Sequence, residues 1–216
     1  MTIQLSAFRW VPPFAQGHVR DLRVRWALEE AGLPYEATLL DPRTKASPDY
    51  LEWQPFGQVP AYQDGSIEMF ESGAIVLRIA ETSEALAPAD EAGRARMTTW
   101  IFAALNSVEP HVQNLVQLDV FHAGEAWTVE RRPQAEAMLK SRLTSLDAWL
   151  DGRDYLEDRF TAGDLMMTTV LRALIDNAIL AQFPRLDAYR RRCEARPAFA
   201  RALEAQLAPF RENEPA

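Results

Sequence analysis

The chain has 216 residues, a formal net charge of −8, 48% hydrophobic residues and 25% charged residues. That is room for one large domain or two small ones around a substantial core, and the acidic field argues against a nucleic-acid partner. No apolar run approaches the ~20 residues needed to span a membrane, so no membrane partner is expected. The start, MTIQLSAFRW, lacks a basic segment ahead of an apolar one, so no signal peptide is expected. The only cysteine is Cys193, which leaves no intrachain disulfide and fits a reducing cytoplasm.

Residues 3–8, IQLSAF, alternate and are rich in β-formers, which predicts a strand. RWVPPFAQG follows as a loop, punctuated by Pro12-Pro13 and Gly17. A helix is predicted from about His18 to Ala31, with Val19, Leu22 and Trp26 on one face. Gly32 is placed as its left-handed stop, Pro34 prevents continuation, and Leu33 is expected to pack back on Leu28. YEATLLD, 35–41, is a second strand, and this strand–helix–strand order reads as a βαβ unit with a right-handed crossover. Ser47-Pro48 reads as a cap followed by proline at the first position of a short helix. VPAYQ and SIEMF flank Asp64-Gly65, a two-residue hairpin signal. Helical periodicity returns from Ser72 to Thr82.

SEALAPADEAG then reads as a linker, and beyond it no strand pattern survives. The segments 94–116, 131–151, 161–179, 184–195 and 197–207 all read as helices. The expected fold class is therefore an α/β domain, residues 1–82, a linker, 83–90, and an all-helical domain, 91–216. In RFTAGDL, Thr161 is placed to cap a helix while Asp164 reaches back to it, a capping box with Asp in place of Glu. Phe160 and Leu165 hold the positions of a hydrophobic staple, so this motif reads as structural.

The stretch QPFGQVPAYQDGSIEMFESGAI, 54–75, carries the functional signal. A Val59-Pro60 bond at a strand start is met either by an ordinary trans-proline on an edge or by a cis bond. A bend there would leave the Val59 amide and carbonyl to pair with an extended peptide. Ser72 stands where a helix begins, and its hydroxyl with the first helical N–H groups would suit a carboxylate. Glu71 beside it would suit an ammonium. An α-amino acid end carries both charges. Taken singly, Ser72 as a plain helix cap and Glu71 as a dipole partner explain the pair as well. In an acidic protein an anionic ligand needs such local positive potential.

PFGQVP, the Asp-Gly hairpin and FESGAI at this spacing resemble the glutathione-binding half of glutathione transferases. RVRWALEEAGLPYE is similar to that family's first helix and second strand, and FTAGDL to its helical-domain capping motif. The resemblance covers nearly the whole chain in order. It implies a thioredoxin-like α/β domain followed by an all-α helical-bundle domain, a cis Pro60 and a homodimer. It also implies glutathione as co-substrate, with the Val59 backbone pairing with its cysteinyl part. Glu71 and Ser72 would hold the γ-glutamyl ammonium and carboxylate, with Gln58 beside Val59.

The loop after the first strand departs from the pattern, because residues 7–24 contain no Tyr, Ser, Thr or Cys. Arg9 as a cation and Trp10 as an indole N–H donor are the candidates to stabilise the thiolate, with Ser6, Gln16 and His18 behind them. For each, a structural or solvated role is the simpler explanation. Asn106 and Asn114, on a helix that also carries Trp100, His111 and Gln117, are candidates to line a second-substrate cleft for a small apolar electrophile. Cys193 reads as structural, no CxxC points to disulfide exchange, and no metal is expected because the three histidines lack ligand spacing. The function expected is a glutathione transferase. A non-catalytic glutathione-binding protein, or a glutathione-dependent peroxidase or dehalogenase, is the alternative.

Overall fold

The computed structural model describes residues 2–175 and 177–215. It divides into two compact units, Met1–Ala87 with Ala195–Ala216, and Pro88–Glu194. The first unit holds β1 (Ile3–Phe8), α1 (Asp21–Ala31), β2 (Tyr35–Leu40), α2 (Pro48–Trp53), β3 (Ala61–Asp64), β4 (Ile67–Phe70) and α3 (Ser72–Glu81). The strands form one mixed sheet in the order β2-β1-β3-β4. β1 and β2 run parallel, while β3 is antiparallel to both of its neighbours. This is the thioredoxin-like arrangement, with β1 at the centre feeding the loop that follows it.

Local chemistry explains the elements. α1 ends because Gly32 takes a left-handed φ of 67°, with the Gly32 and Leu33 amides both donating to the Leu28 carbonyl. Its start lies at Asp21 rather than His18, because 16–20 are spent on tight turns closed by bonds such as His18 N–H to Ala15 C=O. Ser47 caps α2 by accepting from the Tyr50 amide. The hairpin turn falls one residue later than Asp64-Gly65. Asp64 pairs with Ile67, and Gly65-Ser66 form the turn with Gly65 at φ 60°.

Helix α9 (Pro197–Glu212) belongs by its contacts to the first unit. Trp26 and Phe199 meet edge to face at 4.8 Å, and the Gln206 amide donates to both Val19 C=O and Asp21 Oδ1. Arg196 forks onto Glu30, and Arg201 reaches Glu29. The sequence groups this helix with residues 91–216 because an amphipathic pattern reports a buried face and not its partner.

The second unit is helical among its described residues: α4 (Glu91–Phe102), α5 (Glu109–Val116), α6 (Ala126–Trp149), α7 (Ala162–Arg172) and α8 (Pro184–Glu194). Wider π turns occupy Ala103–Val108 and Gln117–Phe121. Thr161 caps α7 in a reciprocal capping box with Asp164, over a buried Phe160 and Leu165. Asp164 also accepts from the Leu156 amide and the Tyr189 hydroxyl. Among the described residues no helix is long and apolar enough to cross a membrane.

Candidate functional site

The segment from Gln54 to Ser72 is braced from behind. Gln54 accepts from the Phe56 amide, and the Trp53 indole donates to Tyr62 C=O. The Val59–Pro60 bond is cis. Val59 is buried, yet no hydrogen bond to its backbone amide or carbonyl is found among the described residues. Buried backbone polar groups are nearly always paired, so the bare Val59 edge just ahead of β3 is the candidate place for an extended ligand to pair. Gln58 beside it is exposed.

At the other end of the hairpin, Glu71 has φ 70° and ψ 109°, the one non-glycine residue with positive φ among those described. A residue with a Cβ adopts this conformation at a cost, and such outliers concentrate at ligand sites. It turns the chain into α3 so that Ser72 opens the helix. Ser72 is buried, and the Arg23 guanidinium on α1 donates to its Oγ at 3.2 Å. With that oxygen accepting from Arg23, the Ser72 proton is directed elsewhere, and a buried cation stands behind the first turn of α3. Arg23 is a buried residue beside the candidate site that sequence reasoning did not single out. Its signal is weak, since a charge inside a helix pattern ordinarily reads as solvated.

Lys45 is a second cation near this region. Its ammonium lies 5.8 Å from the Phe8 ring centroid. Gly57, at φ 59°, brings its α-carbon so close to the Lys45 carbonyl that an added Cβ would stand 3.4 Å from it. The loop bearing Lys45 therefore lies against the segment leading into Gln58.

The thiol-loop candidates are spread. Ser6 is fully buried; its Oγ accepts from the Ala61 amide at 2.7 Å and lies 2.8 Å from Tyr50 Oη. That occupies it within the sheet, away from the loop surface. Arg9 is exposed, its amide extending the β1–β2 ladder to Leu40 C=O. Its charge also acts on Asp41, whose carboxyl is held below its usual range, chiefly by the Thr44 amide it accepts. The Gln16 amide is spent on Val11 C=O. His18 is exposed. Trp10 Nε1 is buried and has no hydrogen-bond partner among the described residues. A buried indole N–H normally finds an acceptor, so Trp10 is the loop donor with unused capacity.

In the second unit, Asn106 sits exposed in the first π turn and Asn114 half-buried on α5. Cys193 is buried on α8. No group of His, Cys, Asp or Glu able to hold a metal is found among the described residues.

Comparison with known proteins gives the family of the chain. Residues 15–81 match the family model described as glutathione S-transferase, N-terminal domain. Glutathione S-transferase 3 of Zea mays is 34% identical over 201 residues, covering 85% of this chain and 88% of its own. The disulfide-bond oxidoreductase YfcG of Escherichia coli is 27% identical over 218 residues, covering 93% and 96%. A crystal structure of a glutathione transferase from Burkholderia graminis, with two glutathione molecules bound per subunit, superposes with a TM-score of 0.82. It is 26% identical, over 94% of this chain and 88% of that one. The chain belongs to the glutathione S-transferase family.

Proposed function

We propose that this protein is a cytoplasmic glutathione transferase that binds glutathione along the Val59 edge and promotes attack of its thiol on a small apolar electrophile, as in detoxification. The observation that carries the reading is the unpaired backbone of buried Val59, one hairpin away from a serine that opens a helix over a buried arginine. An extended tripeptide with an amino-acid end meets both requirements. Val59 pairs with the cysteinyl backbone, Glu71 takes the γ-glutamyl ammonium, and Ser72 with the α3 N-terminus takes the α-carboxylate. Gln58 lies alongside, and Lys45 supplies a cation for the glycyl carboxylate. Trp10 and Arg9 stabilise the thiolate, and Asn106 and Asn114 approach the electrophile. The working form is a homodimer.

The experiment is glutathione titration by calorimetry, alongside turnover with a panel of electrophiles, peroxides and disulfides. Binding with turnover of electrophiles supports the reading, and no binding removes it. A second reading rests on the loop 7–24, which has neither hydroxyl nor thiol: a glutathione-binding protein without transferase turnover. Tight binding with no product from any of the panel would favour it. The similarity to a disulfide oxidoreductase is the reason for the disulfide arm.

A further inference from the structure

Four polar groups behind the Val59 edge form one closed chain. The Ala61 amide donates to Ser6 Oγ at 2.7 Å, Ser6 Oγ lies 2.8 Å from Tyr50 Oη, and Tyr50 Oη donates to Gln58 C=O at 2.5 Å. The protons can be assigned by elimination. An amide only donates and a carbonyl only accepts, so Ser6 receives from Ala61 and Tyr50 gives its one proton to Gln58. The Ser6 proton therefore goes to Tyr50. The order runs Ala61 N–H, Ser6 O–H, Tyr50 O–H, Gln58 C=O, with every proton committed. Such chains polarise one another and are stiffer than their separate bonds.

The two ends of this chain flank residues 59 and 60. Pro60 has no N–H, and Val59 has no backbone hydrogen bond among the described residues. By hydrogen bonds the ligand-pairing edge is thus held through its neighbours, both tied to the same two hydroxyls, while the Val59 side chain packs in a buried cluster with Leu40, Tyr50 and Ala61. Tyr50 is buried, rooted on α2 by the Ser47 cap, and packs edge to face on Trp53 at 6.0 Å. Burial pushes its phenol pKa up, so the hydroxyl keeps its proton.

We infer that Tyr50 and Ser6 are positioning residues for glutathione: their hydroxyl relay holds the Val59 amide and carbonyl in register for the peptide backbone of the ligand. This rests on the glutathione reading above and assigns Ser6 a role other than thiol activation. The relay touches no reacting atom. It acts on affinity and leaves the ionisation of the bound thiol alone.

The test is calorimetric titration of glutathione into wild type, Tyr50→Phe, Ser6→Ala and the double variant. Each single change breaks the same chain, so each raises Kd about three- to tenfold, the value of one net hydrogen bond. The double variant is no worse than the weaker-binding single, because the losses are shared. At saturating glutathione the bound thiol keeps its wild-type pKa and kcat is retained while KM rises. A folded Tyr50→Phe that binds as tightly as wild type overturns the inference, as does strict additivity in the double variant. Failure of wild type to bind glutathione instead removes the underlying reading. If the variants do not fold, amide exchange on wild type decides. The Ala61 amide is protected without ligand, and the unpaired Val59 amide gains protection only when glutathione is added. An Ala61 amide exchanging as freely as that of Val59 overturns the relay.

Discussion

Arg23 Nη1 donates to Ser72 Oγ across 3.2 Å, tying α1 to the first turn of α3 inside the thioredoxin-like unit. The contact joins residues 49 apart in sequence and puts a buried positive charge beside the first turn of α3 in an acidic protein. It also orients the serine: an oxygen that accepts from the guanidinium leaves its proton to be donated elsewhere.

Ser72→Ala is therefore expected to weaken glutathione binding by about 1.5–3 kcal/mol, the value of a hydrogen bond to a charged group. Calorimetry on the folded variant checks this. Unchanged affinity would take Ser72 out of the site.

The architecture was largely legible in the sequence. Gly32 past α1, Ser47-Pro48 before α2 and Thr161 with Asp164 before α7 are local signals, and each acts where its chemistry puts it. The hairpin was found but shifted by one residue, since Asp64-Gly65 and Gly65-Ser66 are both plausible turn pairs. Non-local facts were not legible. Nothing in RVRW marks Arg23 as buried against Ser72, nothing in SPDYL marks Tyr50 as the partner of Ser6, and the helical pattern of 197–212 does not say that it returns to α1. The π turns were hidden as well, because a local widening leaves the apolar spacing nearly unchanged.

Asp164 makes stability in the helical unit depend on pH. Burial raises its carboxyl from 3.8 to about 6, against the hydrogen bonds it accepts from Leu156, Thr161 and Tyr189. Its folded value lies above its unfolded one, so the folded state binds the proton more tightly. The stability this group contributes is full below the unfolded value and is lost as pH rises through about 6, by on the order of 3 kcal/mol. Urea midpoints of wild type and Asp164→Asn, compared from about pH 4 to about pH 7, are expected to converge as pH rises. A constant difference across that range would contradict the assignment.

Gly163 sets how closely α7 approaches α4. A Cβ built there would stand 2.7 Å from Trp100 Cβ and 3.4 Å from the Met97 carbonyl oxygen. Backbone-anchored atoms give way poorly, so Gly163→Ala is expected to cost about 1–3 kcal/mol. The check is a lowered urea midpoint with an unchanged slope; a wild-type midpoint would mean the two helices have room to spare.

Thiol activation is expected to come from the loop donors. Trp10→Phe removes an indole N–H that has no partner among the described residues, and Arg9→Ala removes a cation. Each should raise the pKa of bound glutathione, while Ser6→Ala, whose hydroxyl is committed within the sheet, should leave it in place. If Ser6→Ala abolished the thiolate and the other two were harmless, a serine mechanism would replace this one.

Whether the hairpin holds glutathione with its thiol ionised is read from the thiolate absorbance of enzyme-bound glutathione against pH. A free thiol titrates near 8.5, and lowering it by two units requires about 2.7 kcal/mol of preference for the thiolate. The bound thiol is expected to titrate well below the free value, near neutrality. A bound thiol that titrates at the free value, with glutathione demonstrably in place, would contradict it and leave a binding protein without transferase chemistry.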